Sequence, residues 1–233
     1  ASRHIIFEPA GAMLKLPPNL LVTDDASLAA YQRQARADEF DFRGIAWLGR
    51  DRDISTAVSA RAFRDVRSVP PSQAPIEYLG LGQNSRVTPT VQLAAQRTDA
   101  GQVDCSWPIA AWNNPISASE LLTARSVIGV SKAQLLTGDE FTDERLKNQA
   151  DLSQYRILHF ATHGLVSAPR PECPAQPALL TSFATAPNGQ LASDGLLTFK
   201  EIFDLKLDAD LIILSACDTA GEATAEATPE AGL

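Results

Sequence analysis

Two side chains in this sequence have the types and the settings that nucleophilic catalysis needs. His163 follows an apolar run at 156–161 by two residues and precedes Gly164, while Cys217 directly follows the apolar run Asp210-Leu211-Ile212-Ile213-Leu214-Ser215-Ala216. Both runs read as β-strands, and in an open α/β sheet ligands bind beyond the carboxyl ends of the strands. One crossover helix is expected between them, which suits two parallel strands lying side by side. A thiolate at 217 would attack a carbonyl carbon while the imidazole at 163 carries protons. Gly164 and Cys217 offer backbone N–H groups nearby for a developing oxyanion. Against this, a lone cysteine at the end of a buried strand is more often a small packed hydrophobe, so spacing alone leaves both readings open.

Metal binding is the other chemistry these histidines suggest, because His159 and His163 stand at i and i+4. On a helix they would share a face. On a strand they lie about 13 Å apart, no third ligand is evident, and His159 becomes an interior-facing structural residue. No metal site and no cofactor are expected.

The elements that must position these residues follow from the hydrophobic pattern. Residues 4–7 and 12–16 read as a hairpin around Pro9-Ala10-Gly11, followed by a helix at 26–37, a strand at 45–48 and a helix at 55–66. A strand at 76–81 ends in Gly82. Residues 83–116 are polar and unassigned, and the tryptophans in them, Trp107 and Trp112, either pin the segment to the core or line a peptide cleft. Ser117-Ala118-Ser119-Glu120 reads as a capping box opening a helix to about 128. A strand at 132–136, a helix at 142–150 and the strand at 156–161 follow. Residues 167–176 are expected to rim the cleft beyond His163. Residues 177–192 read as a hairpin around Pro187-Asn188-Gly189. Thr198-Phe199-Lys200-Glu201 is a second capping box, and 210–216 reads as a fully buried strand. Repeated strand and helix with continuous apolar strands predicts an open, mostly parallel sheet with helices on both faces.

Composition narrows the function classes. The 233 residues are 45% hydrophobic and 21% charged, which is globular, and the formal net charge is −8 from 20 basic and 28 acidic residues. A nucleic-acid binder carries a basic excess or stripe, so direct nucleic-acid contact is not expected. The three cysteines, Cys105, Cys173 and Cys217, form no CxxC pair, which predicts unpaired thiols and a reducing, cytoplasmic setting. The longest strongly apolar run, residues 211–214, is far too short for a bilayer, so no membrane partner is expected. No GxSxG, GxGxxG or GxxxxGK[ST] motif occurs, which removes the α/β-hydrolase and nucleotide-binding signatures.

Three segments together resemble a known family. They are Leu158-His159-Phe160-Ala161-Thr162-His163-Gly164, then Asp194-Gly195-Leu196-Leu197-Thr198, then residues 210–217 followed by Asp218-Thr219-Ala220-Gly221. The sequence is similar to CHAT domains, the caspase-like domains found after tetratricopeptide repeats in bacteria. The match is specific over 155–221 and weaker upstream, through Leu79-Gly80-Leu81-Gly82. The resemblance implies a caspase-like fold, related to separases, metacaspases and gingipains, and a cysteine endopeptidase with His163 and Cys217 as its dyad. By the same analogy the Gly164 and Cys217 amides form the oxyanion hole. It further implies residues 1–75 as the N-terminal part of the region (hairpin, helices and strand), 76–221 as the catalytic core, and 222–233 as an acidic tail or truncated loop.

Two departures qualify the resemblance. Relatives that cut after basic residues carry an acid two positions before the cysteine, where this chain has Ser215, so a basic preference is not supported at that position. Asp194, Asp204 and Asp218 are the other candidate pocket acids, each with a simpler role at a turn or helix end. The family also continues well past its nucleophile, so the chain is expected to be a large-subunit-like piece with a C-terminal small-subunit-like segment as partner. A repeat or sensor module is the expected controller, and a protein or peptide the substrate. The alternative function is an inactive interaction domain that kept the fold.

Overall fold

The computed structural model of the chain describes residues 4–33, 41–88, 105, 107–148, 150–166 and 171–216. Its contacts divide into two compact units, Ala1–Pro70 and Pro71–Leu233.

The first unit contains β1 (His4–Phe7), α1 (Asp25–Arg33), α2 (Leu48–Asp51), β2 (Asp53–Thr56) and α3 (Ala60–Ser68). The expected hairpin at 4–16 does not form. β1 instead pairs in parallel with β2, from His4 opposite Asp53 to Phe7 opposite Thr56, and Gly11–Lys15 is a 3-10 helix entered through Gly11 at φ +55°. With its ladder completed by β2, β1 does not need residues 12–16 as a partner. The helix expected from 55 starts later for the same reason: Ser55 and Thr56 belong to β2, and Ser59 caps α3 by accepting the Ala62 N–H at 3.0 Å. The strand expected at 45–48 shrinks to one bridge between Trp47 and Val22. Residues 34–37 of the expected first helix lie outside the described residues.

The second unit is built on β3 (Ile76–Asn84), β4 (Ala133–Gly138), β5 (Tyr155–Ala161) and β9 (Leu211–Ser215), all parallel, in the order β4-β3-β5-β9. A second sheet of three antiparallel strands consists of β6 (Gly164–Leu165), β7 (Ala178–Thr185) and β8 (Leu191–Thr198). The helices are α4 (Ser119–Ile128), α5 (Asp143–Asn148) and α6 (Phe199–Asp204). The observed class is therefore mixed α/β with a mostly parallel central sheet.

Alternation along the strands decides what each face of the parallel sheet meets. Leu79 and Leu81 of β3 and Leu158 and Phe160 of β5 bury against Phe141, Leu146, Leu152, Leu179 and Leu197, with Ile202 and Leu205 packed on the outside. Each such side chain stabilises the fold by about 1.5–3 kcal/mol, which fixes β5 firmly. The opposite face of the sheet carries Tyr78 and His159 and receives α4, whose Leu121 is fully buried.

Three expectations need correction here. The strand at 210–216 is not fully buried. Among the described residues it forms an edge of the parallel sheet, and Leu211 and Ile212 are 49% and 45% exposed. The capping box at Ser117–Glu120 does not form, although the one at Thr198 does. Ala118 holds the N-cap position, Ser117 Oγ accepts the Ser119 N–H, and the Glu120 side chain reaches across to the sheet instead. Finally, Cys105 and Cys173 are joined in a disulfide, with their Cα atoms 5.6 Å apart. Chain topology brings them together across 68 positions, which no local spacing reveals. The pairing removes the cysteine-based argument for a reducing compartment.

Candidate active site

The register between β5 and β9 sets the site. Ala161 lies opposite Ser215, and just beyond, the Thr162 N–H donates to the Ser215 carbonyl at 3.3 Å. At the other end of the same pair, the Asp210 N–H donates to the Arg156 carbonyl at 2.8 Å, and the Arg156 guanidinium binds Asp210 at 2.7 Å. The Asp210 carboxyl also accepts the Ser72 N–H, and these two donors, Ser72 first, hold it below the usual carboxylate range. Two adjacent parallel strands are thus stapled at both ends, and their C-terminal ends emerge side by side.

His163 stands at that edge, half-buried, one residue beyond Thr162. Its carbonyl accepts the Leu180 N–H at 2.9 Å, and the buried Thr162 hydroxyl donates to the Leu180 carbonyl. The imidazole is held separately, with Nε2 2.7 Å from the Asn114 carbonyl oxygen. A carbonyl only accepts, so Nε2 carries the hydrogen and Nδ1 carries the lone pair of the neutral ring. Asn114 is placed by Trp112, which is 2% exposed. Trp112 Nε1 donates to the Thr181 carbonyl at 2.9 Å, and its own carbonyl accepts from Asn84 Nδ2 at 3.0 Å. Of the two readings of Trp112, pinning the segment is the one the packing bears out.

Gly164 pairs with Leu179 across β6 and β7. Because His163 and Leu180 form the hydrogen-bonded pair, Gly164 and Leu179 form the alternate kind, and the Gly164 N–H is directed away from β7.

The other candidates fall differently. Asp194 is exposed on β8, with β7 between it and Gly164, and its Oδ1 accepts the Leu196 N–H at 3.0 Å. Asp204 is the exposed last residue of α6. Cys217 and Asp218 lie outside the described residues. Ser215 is described, and its hydroxyl donates to both oxygens of Glu120, at 3.1 and 2.9 Å.

That last contact belongs to a chain of polar groups the sequence did not disclose. The Tyr78 hydroxyl is 3.0 Å from His159 Nδ1, and His159 Nε2 is 3.1 Å from Glu120 Oε1. Burial, helped by the Glu120 charge, pushes the Tyr78 phenol up to about 12. It therefore stays protonated and donates to Nδ1, leaving the His159 Nε2–H for Glu120. Both nitrogens of this buried ring are thus hydrogen-bonded, Nδ1 accepting and Nε2 donating. No group of three or more His, Cys, Asp or Glu among the described residues is arranged to hold a metal ion. No helix among them is long and apolar enough to cross a membrane.

No curated protein and no solved structure matches the chain. The sequence model of the CHAT domain matches residues 1–233, its entire length. The chain belongs to the CHAT domain family.

Proposed function

We propose that this chain is the catalytic part of a caspase-like cysteine endopeptidase that uses His163 and Cys217. The observation that carries the reading is the anchored imidazole: His163 sits on the Asn114 carbonyl at the end of β5, and its neighbour β9 leads within two residues to Cys217. Membership of the CHAT domain family supports the caspase-like fold and the peptidase chemistry.

In this reading His163 Nδ1 takes the Cys217 thiol proton, and the sulfur attacks the scissile carbonyl carbon. The oxyanion is met by the Gly164 and Cys217 N–H groups. As the C–N bond breaks, the imidazolium returns its proton to the leaving amine. Water, deprotonated by the same Nδ1, then attacks the thioester, and the thiol leaves with its proton restored. The Asn114 carbonyl keeps the ring orientation and tautomer throughout and stabilises the imidazolium. A repeat or sensor module as controller, and a small-subunit-like segment as partner, are part of the proposal. The half-exposed Leu211 and Ile212 on the edge strand support the second.

The test is cleavage of a P1-diverse fluorogenic peptide library by the wild type, Cys217→Ala and His163→Gln. Expected is turnover that vanishes in Cys217→Ala and falls about 10²–10⁴-fold in His163→Gln. Turnover that survives Cys217→Ala would overturn the assignment, and silence in all three would favour an interaction domain.

A further inference from the structure

Beside Trp112 the pairing of β7 with β8 is irregular. Leu180 faces Leu196 and Phe183 faces Asp194, so Thr181 and Ser182 together stand opposite Gly195 alone. This is a β-bulge, which turns backbone and side-chain groups in directions a regular ladder does not allow. Here the Thr181 carbonyl accepts the Trp112 indole N–H at 2.9 Å, and the Gly195 carbonyl lies 3.3 Å from the same nitrogen. The indole packs on Phe183, with ring centroids 4.8 Å apart, and against the bare α-carbon of Gly195. A β-carbon at 195 would come within 2.6 Å of the indole nitrogen and 3.0 Å of Cε2. The backbone there has φ +78°, a conformation that glycine adopts at no steric cost.

The same indole stands one step from the candidate histidine. Trp112 belongs to a 3-10 helix, Ile109–Asn113, which Asn114 ends, and the Asn114 carbonyl oxygen is 2.7 Å from His163 Nε2. The backbone of this turn is anchored on β3, where Asn84 Nδ2 donates to the Trp112 carbonyl at 3.0 Å. β7 therefore grips His163 twice. Leu180 binds its carbonyl directly, and Thr181 reaches its imidazole through Trp112 and Asn114. We propose that Gly195 is a positioning residue for His163: only a residue without a side chain lets the indole seat on the bulge and so aims the Asn114 carbonyl at the ring. With the Trp112 carbonyl fixed on β3, a push on the indole from β8 tilts the short turn about that anchor, and Asn114 swings with it. The part Gly195 plays in catalysis rests on the peptidase reading, whereas its setting of the ring does not.

The experiment reads the ring and the reaction separately, in the full chain. The sequence holds three histidines, His4, His159 and His163, so long-range proton–nitrogen correlation spectra separate their imidazoles, and His163→Gln identifies the ring in question. Expected in the wild type is a single tautomer, with hydrogen on Nε2 and a lone pair on Nδ1. Gly195→Ala should give a mixture of tautomers, and in peptide cleavage kcat should fall about 10–10²-fold with KM within about twofold. Gly189→Ala is the control: Gly189 has the same φ of +78°, sits in the turn of the same hairpin, and has nothing within 4 Å of the added carbon. It should leave the tautomer and kcat as in the wild type. Gly195→Ala combined with Trp112→Phe should be no worse than Trp112→Phe alone, because the phenyl ring vacates the space of the indole nitrogen. A mixture already present in the wild type, a single tautomer kept in Gly195→Ala, an equal disturbance in Gly189→Ala, or effects of Gly195→Ala and Trp112→Phe that multiply would each overturn the inference. Should Gly195→Ala alone not fold, the double variant decides. Folded, with the tautomers of Trp112→Phe, it supports the positioning role; unfolded, it assigns Gly195 to the strand alone and overturns it. Tautomers that change as expected without cleavage by any variant reject the peptidase and keep the positioning, and cleavage lost at an unchanged tautomer does the reverse.

Discussion

Gly82 of β3 lies so close to β5 that a β-carbon added to it would come within 2.2 Å of the Ala161 carbonyl oxygen. Ala161 is the residue opposite Ser215 and two before His163. Backbone atoms cannot step aside as a flexible side chain can, so Gly82→Ala should wedge the two strands apart at their C-terminal ends. Overpacking of this kind costs about 1–3 kcal/mol. Urea unfolding should show the midpoint lowered with the slope unchanged, and peptide cleavage should fall by more than the loss of folded protein explains.

Trp112 offers a gentler way to loosen the site. Trp112→Phe keeps most of the buried ring but deletes the indole N–H that meets the Thr181 carbonyl at 2.9 Å. An orphaned buried acceptor costs about 1–3 kcal/mol. For a chain of this size that is a melting-temperature drop of roughly 2–12 °C, read by calorimetry. Because Asn114 is two residues further on, the His163 imidazole loses some of its orientation, and kcat should drop while KM stays near its original value.

The Cys105–Cys173 bond predicts one titratable thiol per chain, where the sequence holds three cysteines. A peptide map without reductant should contain the linked pair. Reduction, or the double substitution Cys105→Ser with Cys173→Ser, should cost about 2–4 kcal/mol. The serine variant should then be indifferent to further reductant, which separates loss of the cross-link from any other effect of the reagent.

Glu201 should contribute to acid sensitivity. Burial alone would raise its carboxyl, but hydrogen bonds from Lys147 and Thr198 outweigh that and hold it below its ordinary value. A lowered carboxyl contributes stability that is complete above the unfolded value, near pH 4.3–4.5. That stability drains away as pH falls through the folded value. Chemical denaturation at a series of pH values should show this loss in the wild type. Lys147→Gln should be less stable at neutral pH and should show a flatter acid limb. A limb of unchanged steepness would remove Lys147 as the cause.

The central sheet was readable because its strands are apolar, contiguous and punctuated: Ile76, Arg156 and Asp210 each open a run that the structure places in neighbouring parallel strands. The position of His163 at the sheet's carboxyl edge was readable for the same reason. What the sequence concealed was every relationship that depends on distant packing. Glu120 has the local signature of a capping residue, and only the approach of β9 and His159 draws it onto the sheet. Asn114 contributes a backbone carbonyl, a group every residue possesses, so its identity carries no signal. The N-terminal hairpin failed because a turn-rich motif at Pro9-Ala10-Gly11 also suits a 3-10 helix once residues 53–56 have taken the partner's place beside β1.

The disulfide gives the molecule a covalent topology that its linear sequence lacks. Residues 105–173 form a closed ring threaded through α4, β4, β5 and His163. A single peptide-bond cut inside that ring leaves both products tied together, and they would migrate as one species until reduced. A cut between 174 and 210 would instead leave β9 and the cysteine that follows it joined to His163 only through the hydrogen bonds of the sheet. Should the chain process itself or be processed, a nick inside the ring leaves His163 and Cys217 on covalently joined pieces, and a nick in the linker after it leaves them on separate ones.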